Sequence, residues 1–171
     1  MIKLEQFAPT DFDRLIAWID SPDALMQFGG PTLSFPLTAD QLHQSLHDPN
    51  RHVFKVVETT TEDVVGHGEI YHKEDGATYL VRLLIGDLRA RGKGLGTLLT
   101  HHLLAYAFDI LKRTVVHLLV FDWNTTAIHV YQKVGFRVVP NKQLLRKVNG
   151  KQWTAITMVI RREDWRRPEV L

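Results

Sequence analysis

The chain has no cysteine. That excludes a disulfide framework, a thiolate metal centre and a cysteine nucleophile, and it fits a reducing, cytoplasmic setting. Long apolar runs are missing as well. Val115 to Phe121, the longest buried-looking stretch, is interrupted by His117 and is far too short to span a bilayer. The opening Met1-Ile2-Lys3-Leu4-Glu5 carries an early acid and lacks the apolar core of a secretory leader. Charge of one sign is scarce: 21 Lys and Arg stand against 19 Asp and Glu. The one dense basic group, Arg161, Arg162, Arg166 and Arg167, is broken by Glu163, Asp164 and Glu169, and reads as a solvated tail, not a nucleic-acid footprint. The nine histidines show no H-E-x-x-H or comparable spacing, so no metal site is expected and His101-His102 reads as solvated helix surface.

What is present suits one domain over residues 1–171. An apolar fraction of 44% and a charged fraction of 23% are ordinary globular values, and no repeat, low-complexity segment or linker divides the chain. Ile2 to Gln6 alternates as a short strand. Thr10 with Asp13 resembles a capping pair ahead of Leu15, Ile16 and Ile19. Ser21-Pro22 opens a second helix that Gly29-Gly30-Pro31 ends, and Thr38 with Gln41 opens a third. His52 to Thr59, Val64 to Lys73 and Tyr79 to Ile85 read as strands, the last interrupted by Arg82. Leu95, Leu98, Leu99, His102, Leu103, Tyr106 and Ile110 describe a helix face. Thr114 to Phe121 is a buried strand and Thr125 to Lys133 a short helix closed by Gly135. Asn149-Gly150 between two strand-like runs signals a type I′ hairpin. The expected fold is mixed α/β, with a twisted central sheet, helices on both faces, and a βαβ crossover that makes Tyr79–Ile85 and Thr114–Phe121 parallel neighbours.

The informative segment runs from Ile85 to Thr97. A buried strand enters a loop holding Gly92, Gly94 and Gly96, and a long amphipathic helix follows. Glycines let the backbone approach a ligand, and the free N–H groups and dipole of a helix start favour a pyrophosphate, with Arg91 and Lys93 adding charge. A Walker A loop fails here because Gly94 follows Lys93 where Ser or Thr belongs. The dinucleotide fingerprint fails because Thr97 occupies the third glycine position. The pattern R/Q-x-x-G-x-G/A is satisfied by Arg91, Gly94 and Gly96. A tight strand-to-helix turn with no ligand is the plain alternative.

This pattern resembles the acetyl-CoA-binding motif of the GNAT superfamily of acetyltransferases. A second stretch, Asn124 to Phe136, resembles the N-x-x-A-x-x-x-Y-x-x-x-G-F segment of the same superfamily, in the order that family has it. The resemblance covers roughly residues 52–165. The hairpin and the closing Glu163-Asp164-Trp165 are similar to the ribosomal-protein N-terminal acetyltransferase branch. The resemblance implies a V-shaped splay between the two central parallel strands and acetyl-CoA as co-substrate. It implies that Leu84, Ile85 and Gly86 lend backbone groups to the pantetheine arm. Arg91, Gly92, Lys93, Gly94, Leu95, Gly96 and Thr97 then cradle the pyrophosphate, Asn124 contacts the cofactor or steadies the strand ends, and Tyr131 protonates the departing thiolate.

The chemistry is transfer of an acetyl group to a primary amine, and without cysteine a direct attack in a ternary complex is preferred. Where some members carry a glutamate on the strand before Asn124, this chain has Leu119. Glu69, alternating with His67 and Tyr71 on one strand face, is the candidate general base, with a bridging water or a plain surface glutamate as alternatives. Trp18, Phe28, Phe35 and the Gly29-Gly30-Pro31 turn are candidates for an acceptor pocket, against the ordinary reading of core aromatics. The acceptor is left open among a protein N-terminus, an aminoglycoside-like amine, a polyamine and an amino acid, and so is a homodimer. A competing reading is an acyl-CoA-binding or sensory module without turnover.

Overall fold

The computed structural model describes residues 1–169 and 171. Strands β1 (Ile2–Gln6), β2 (Arg51–Glu58), β3 (Val64–His72), β4 (Thr78–Ile85), β5 (Val115–Phe121), β6 (Arg137–Val148) and β7 (Lys151–Arg161) form one seven-stranded sheet in the order β1-β2-β3-β4-β5-β7-β6. Only the β4–β5 pair is parallel, as the intervening helix requires. The β6–β7 hairpin turns at Asn149-Gly150, both at positive φ of 48° and 76°, the geometry of a type I′ turn.

Helices α1 (Phe12–Trp18), α2 (Pro22–Gly29) and α3 (Ala39–His47) cover one face of the β1–β4 half. There Phe7, Phe12, Leu15, Leu25, Phe28 and Leu42 close on Val53 and Leu84. Helices α4 (Leu95–Ala105) and α5 (Thr125–Val134) cover the opposite face, where Leu99, Leu103, Leu104, Phe108 and Val134 bury against Val56, Ile70, Leu80 and Val116. Two N-terminal caps form as the residue types demand. Ser21 accepts from the Ala24 N–H at 3.1 Å, and Thr38 from the Gln41 N–H at 3.4 Å. Among the described residues no helix is long and apolar enough to cross a membrane.

Three local expectations need correction. Asp11, not Thr10, ties the entry to α1, its carboxylate accepting from the Ala8 N–H at 3.0 Å. The face of α4 rotates: His101 is buried and His102 only half so, and past Ala105 the helix widens into a π turn over Tyr106–Ile110 that leaves Ile110 exposed. His101 Nδ1 accepts from the indole of the buried Trp165 at 3.1 Å, which is a core contact and not solvated surface. The C-terminal arginines stay exposed, as expected of a solvated group, although Arg162 and Arg167 both reach Asp109, at 3.3 and 3.0 Å.

Candidate active site

The sheet opens at its centre. β4 and β5 register only at Tyr79–His117 and Leu80–Leu118. β5 stays paired with β7 as far as Phe121, so β4 is the strand that leaves. The cause is a bulge: β3 and β4 slip between His67–Leu84 and Glu69–Val81, and Arg82 sits in the slip with φ 55°. A residue inserted on one strand bends it and sharpens its twist. Beyond Leu80, β4 therefore presents an open edge to the gap, the kind of edge an extended ligand chain can join.

The glycine turn lies at the end of this edge. Gly92 and Gly94 have φ of 76° and 75°, which side chains rarely tolerate, and Gly94 is the left-handed N-cap of α4. No side chain caps this helix. The Gly94 carbonyl accepts from the Thr97 and Leu98 N–H groups, and the N–H groups ahead of them have no intrahelical acceptor. A Cβ built on Gly92, Gly94 or Gly96 would meet nothing within 4 Å, so the three glycines border free space and not packed protein. That space, at a helix start with Lys93 exposed beside it, fits an anionic pyrophosphate. The Arg91 side chain turns the other way, its Nε donating to the Ile85 carbonyl at 2.9 Å.

Gly86 has a reason of its own. A Cβ there would come within 2.0 Å of the Trp18 indole, and its N–H already donates to the Val65 carbonyl at 2.9 Å. Trp18 thus lies across the exit of β4. Of the other acceptor-pocket candidates, Phe28 is core and touches His67, while Phe35 is exposed. On the far side of the gap Asn124 caps α5, its Oδ1 accepting from the Ala127 N–H at 3.2 Å, and so fixes the helix that carries Tyr131. Tyr131 packs edge-on to Phe136, and burial pushes its phenol up to about 12.

Glu69 is enclosed, at 1% exposure, and both its oxygens are taken. His67 Nε2 donates to Oε1 at 2.9 Å, Arg51 donates to Oε2 at 2.8 Å, and Arg82 bridges both at 3.1 and 3.3 Å. Burial alone would raise this carboxyl. The His67 hydrogen bond and the charges of Arg82, His67 and Arg51 outweigh it and hold the group at about 2. Arg82 also donates to Ser45 of α3 at 2.8 Å, and Arg51 to Asp48 at 3.2 Å. Tyr71 joins the same face, its ring centre 4.3 Å from the Arg51 guanidinium. Glu69 is therefore neither a surface glutamate nor a free base, but the hub of an ion network that pins the bulged Arg82. The arginine that interrupts the apolar run of β4 was the available signal for this network. Leu119 is 40% exposed and supplies no acid to the gap.

A sheet split beside a glycine-turned helix start defines an acyl-CoA-dependent N-acyltransferase. The chain belongs to the acetyltransferase (GNAT) family, whose model matches residues 15–136. Membership brings acetyl-CoA as co-substrate and N-acetyl transfer as the reaction. The spermidine N(1)-acetyltransferase of Escherichia coli K12 is 29% identical over 93% of this chain and 85% of its own length. Among solved structures, a spermidine N-acetyltransferase from Vibrio cholerae in complex with CoA and spermine superposes with a TM-score of 0.79 at 20% identity, covering 95% of this chain and 96% of that one. A dodecameric structure of spermidine N-acetyltransferase from Vibrio cholerae gives 0.72 at 20% identity, with 95% and 94% covered. These relatives are spermidine acetyltransferases, and they do not bear out the ribosomal-protein branch expected from the hairpin and the closing Glu163-Asp164-Trp165.

Proposed function

We propose that this protein acetylates a primary amine by direct attack within a ternary complex. The observation that carries the reading is the gap between β4 and β5 opening onto the uncapped start of α4. Gly92 to Thr97 and Lys93 hold the pyrophosphate there, and the free edge of β4 around Leu84 and Ile85 holds the pantetheine arm. Acetyl-CoA, when bound, supplies an acetyl thioester that an unprotonated amine attacks and from which the thiol departs. Tyr131 donates a hydrogen bond to the sulfur as charge develops. Its phenol stays protonated at neutral pH, so the donor is always loaded. Full transfer from a phenol at about 12 to a thiolate of ordinary pKa about 8.5 is uphill by about 3.5 units, so the tyrosine steadies the thiolate more than it titrates it.

Glu69 acts as a positioning residue in this reading. A carboxyl at about 2 lies about five units below neutrality, too weak a base to take a proton from an ammonium group. It holds Arg82 in the bulge and so holds the gap open, and water takes the amine's proton. Trp18 over Gly86 borders the acceptor side. That relatives are named for spermidine supports an amine acceptor. Self-association belongs to the same reading, since one solved neighbour is dodecameric and Val138 and Leu145 on the outer strand β6 are exposed; sedimentation reports it. Thiol release from acetyl-CoA across a panel of amines tests the activity. CoA raising the melting temperature, with no amine promoting thiol release, would support instead a binding module without turnover.

A further inference from the structure

An open groove of about 490 Å³ lies between α2 and the end of β5, lined by Ser21, Asp23, Ala24, Gln27, Trp123 and Trp153. Its position follows from the chain path. Trp123 stands directly before Asn124, the cap of the helix that carries Tyr131, and just past Phe121, where β5 ends at the open side of the gap. Trp153 comes from β7, whose pairing with β5 runs out at Ala155–Phe121. The two indoles meet at 73° with ring centres 5.2 Å apart, and both pack on Phe121, at 6.0 and 4.9 Å. They form a corner, not a sealed stack: Trp123 remains 46% exposed, a large apolar surface facing a wall of α2. The hairpin tip closes one end, Asn149 Nδ2 donating to Asp23 Oδ1 at 2.6 Å.

The lining chemistry is specific. Two aromatic faces and one carboxylate, half of it already engaged by Asn149, suit a ligand with one cationic nitrogen and a flat apolar body. A linear polycation is best matched by an anionic partner for each ammonium, and the lining offers a single acid beside the neutral Ser21 and Gln27. Building on the acetyltransferase reading, we propose that this groove is the acceptor site and that it selects an arylalkyl monoamine. The aryl ring packs into the Trp123–Trp153 corner, and Asp23 draws in the ammonium form. Once deprotonated by water, the amine nitrogen bonds the acetyl carbon while the carbon–sulfur bond breaks. The proton lost from nitrogen balances the one gained by sulfur.

The test compares 2-phenylethylamine with spermidine as acceptors, following thiol release at saturating acetyl-CoA. The expected result is kcat/KM at least about tenfold higher for 2-phenylethylamine. Trp123→Ala should raise its KM about tenfold or more, the scale of one lost aromatic wall, with the KM for acetyl-CoA unchanged. Asp23→Asn, which keeps the side-chain size, should raise the acceptor KM with only a small fall in melting temperature from the charge lost at the start of α2. Preference for spermidine, or an acceptor KM untouched by both variants, overturns the acceptor site. Acetyl-CoA binding in calorimetry with no turnover of 2-phenylethylamine also overturns it and leaves the cofactor reading standing. Failure to bind acetyl-CoA removes both.

Discussion

The two faces of the sheet hold their elements in place by different means. Under α4 and α5, leucine, alanine and valine meet strand residues of the same kind, and position follows from close packing. Under α1–α3, a comparable apolar cluster shares its space with Glu69, Arg51, Arg82 and His67, and position follows from charge and hydrogen-bond geometry. The packed face tolerates volume-conserving change gradually, whereas a buried ion network fails when one partner is removed. In the first case the site is a helix start that no side chain caps. In the second it is a bend in β4 that exists because an arginine is held at φ 55°. In the proposed reading, cofactor holding thus rests on the tolerant face, and the shape of the gap on the intolerant one.

The sharpest way to break this contrast is Glu69→Gln. The substitution keeps the shape but leaves two guanidiniums beside a neutral amide, and losing one partner of a buried charged set costs about 3–5 kcal/mol. Urea denaturation should show that loss. Wild-type stability should respond to acid in the matching sense. The folded-state carboxyl is depressed from 4.5 to about 2, so its contribution is present above about 4.5 and is lost as pH falls through that window toward 2. The variant should lack this part of the acid response. Catalytic loss in Glu69→Gln should persist at every pH; recovery as pH rises toward the amine's own pKa would make Glu69 the base after all.

On the packed face the corresponding change is Gly94→Val. Nothing lies within 4 Å of the new Cβ, so the core should survive, but φ of 75° is hostile to a β-branched residue and the side chain enters the phosphate space. Strain of about 1–3 kcal/mol, together with the filled space, should weaken acetyl-CoA binding ten- to a hundredfold or more by calorimetry. Equal affinity in variant and wild type would remove the cradle assignment.

Legibility in the sequence divides along the same line. The packed face was readable where its signals are local: glycines at 92, 94 and 96 before an apolar helix, and the Asn124 to Phe136 stretch that carries Tyr131, although the capping role of Asn124 came only with the structure. The parallel pairing of the two strands at the gap followed from the βαβ crossover. The charged face was not readable, because its partners are far apart in the chain. Arg51, Glu69 and Arg82 meet only through strand register and a bulge, and alternation along β3 could place Glu69 with His67 but not reveal what else stood there. The burial of His101 depends likewise on Trp165, which lies 64 positions away. The wall formed by Trp123 and Trp153 escaped for the same reason, although Trp123 stands directly before the Asn124 to Phe136 stretch that carried the family resemblance.

The smallest effect is expected where the comparison is least lopsided, at Tyr131, whose ring packs with the apolar face and whose hydroxyl we propose serves the gap. Tyr131→Phe keeps the ring and its edge-on contact with Phe136, so acetyl-CoA affinity should barely change. A general acid matched to its task contributes about 10²–10⁴-fold. A phenol held at about 12 is mismatched to a thiolate near 8.5, and a thiolate leaves with little help, so kcat should fall by only about tenfold. The pH–rate profile separates the two roles. If the hydroxyl only donates a hydrogen bond, wild type and variant should show the same dependence below pH 10, offset by a constant factor. A basic limb present in wild type and absent from Tyr131→Phe would mean that bound acetyl-CoA brings the phenol down into the working range and makes it a true proton donor. An unchanged kcat, with chemistry rate-limiting, would leave Tyr131 as packing alone.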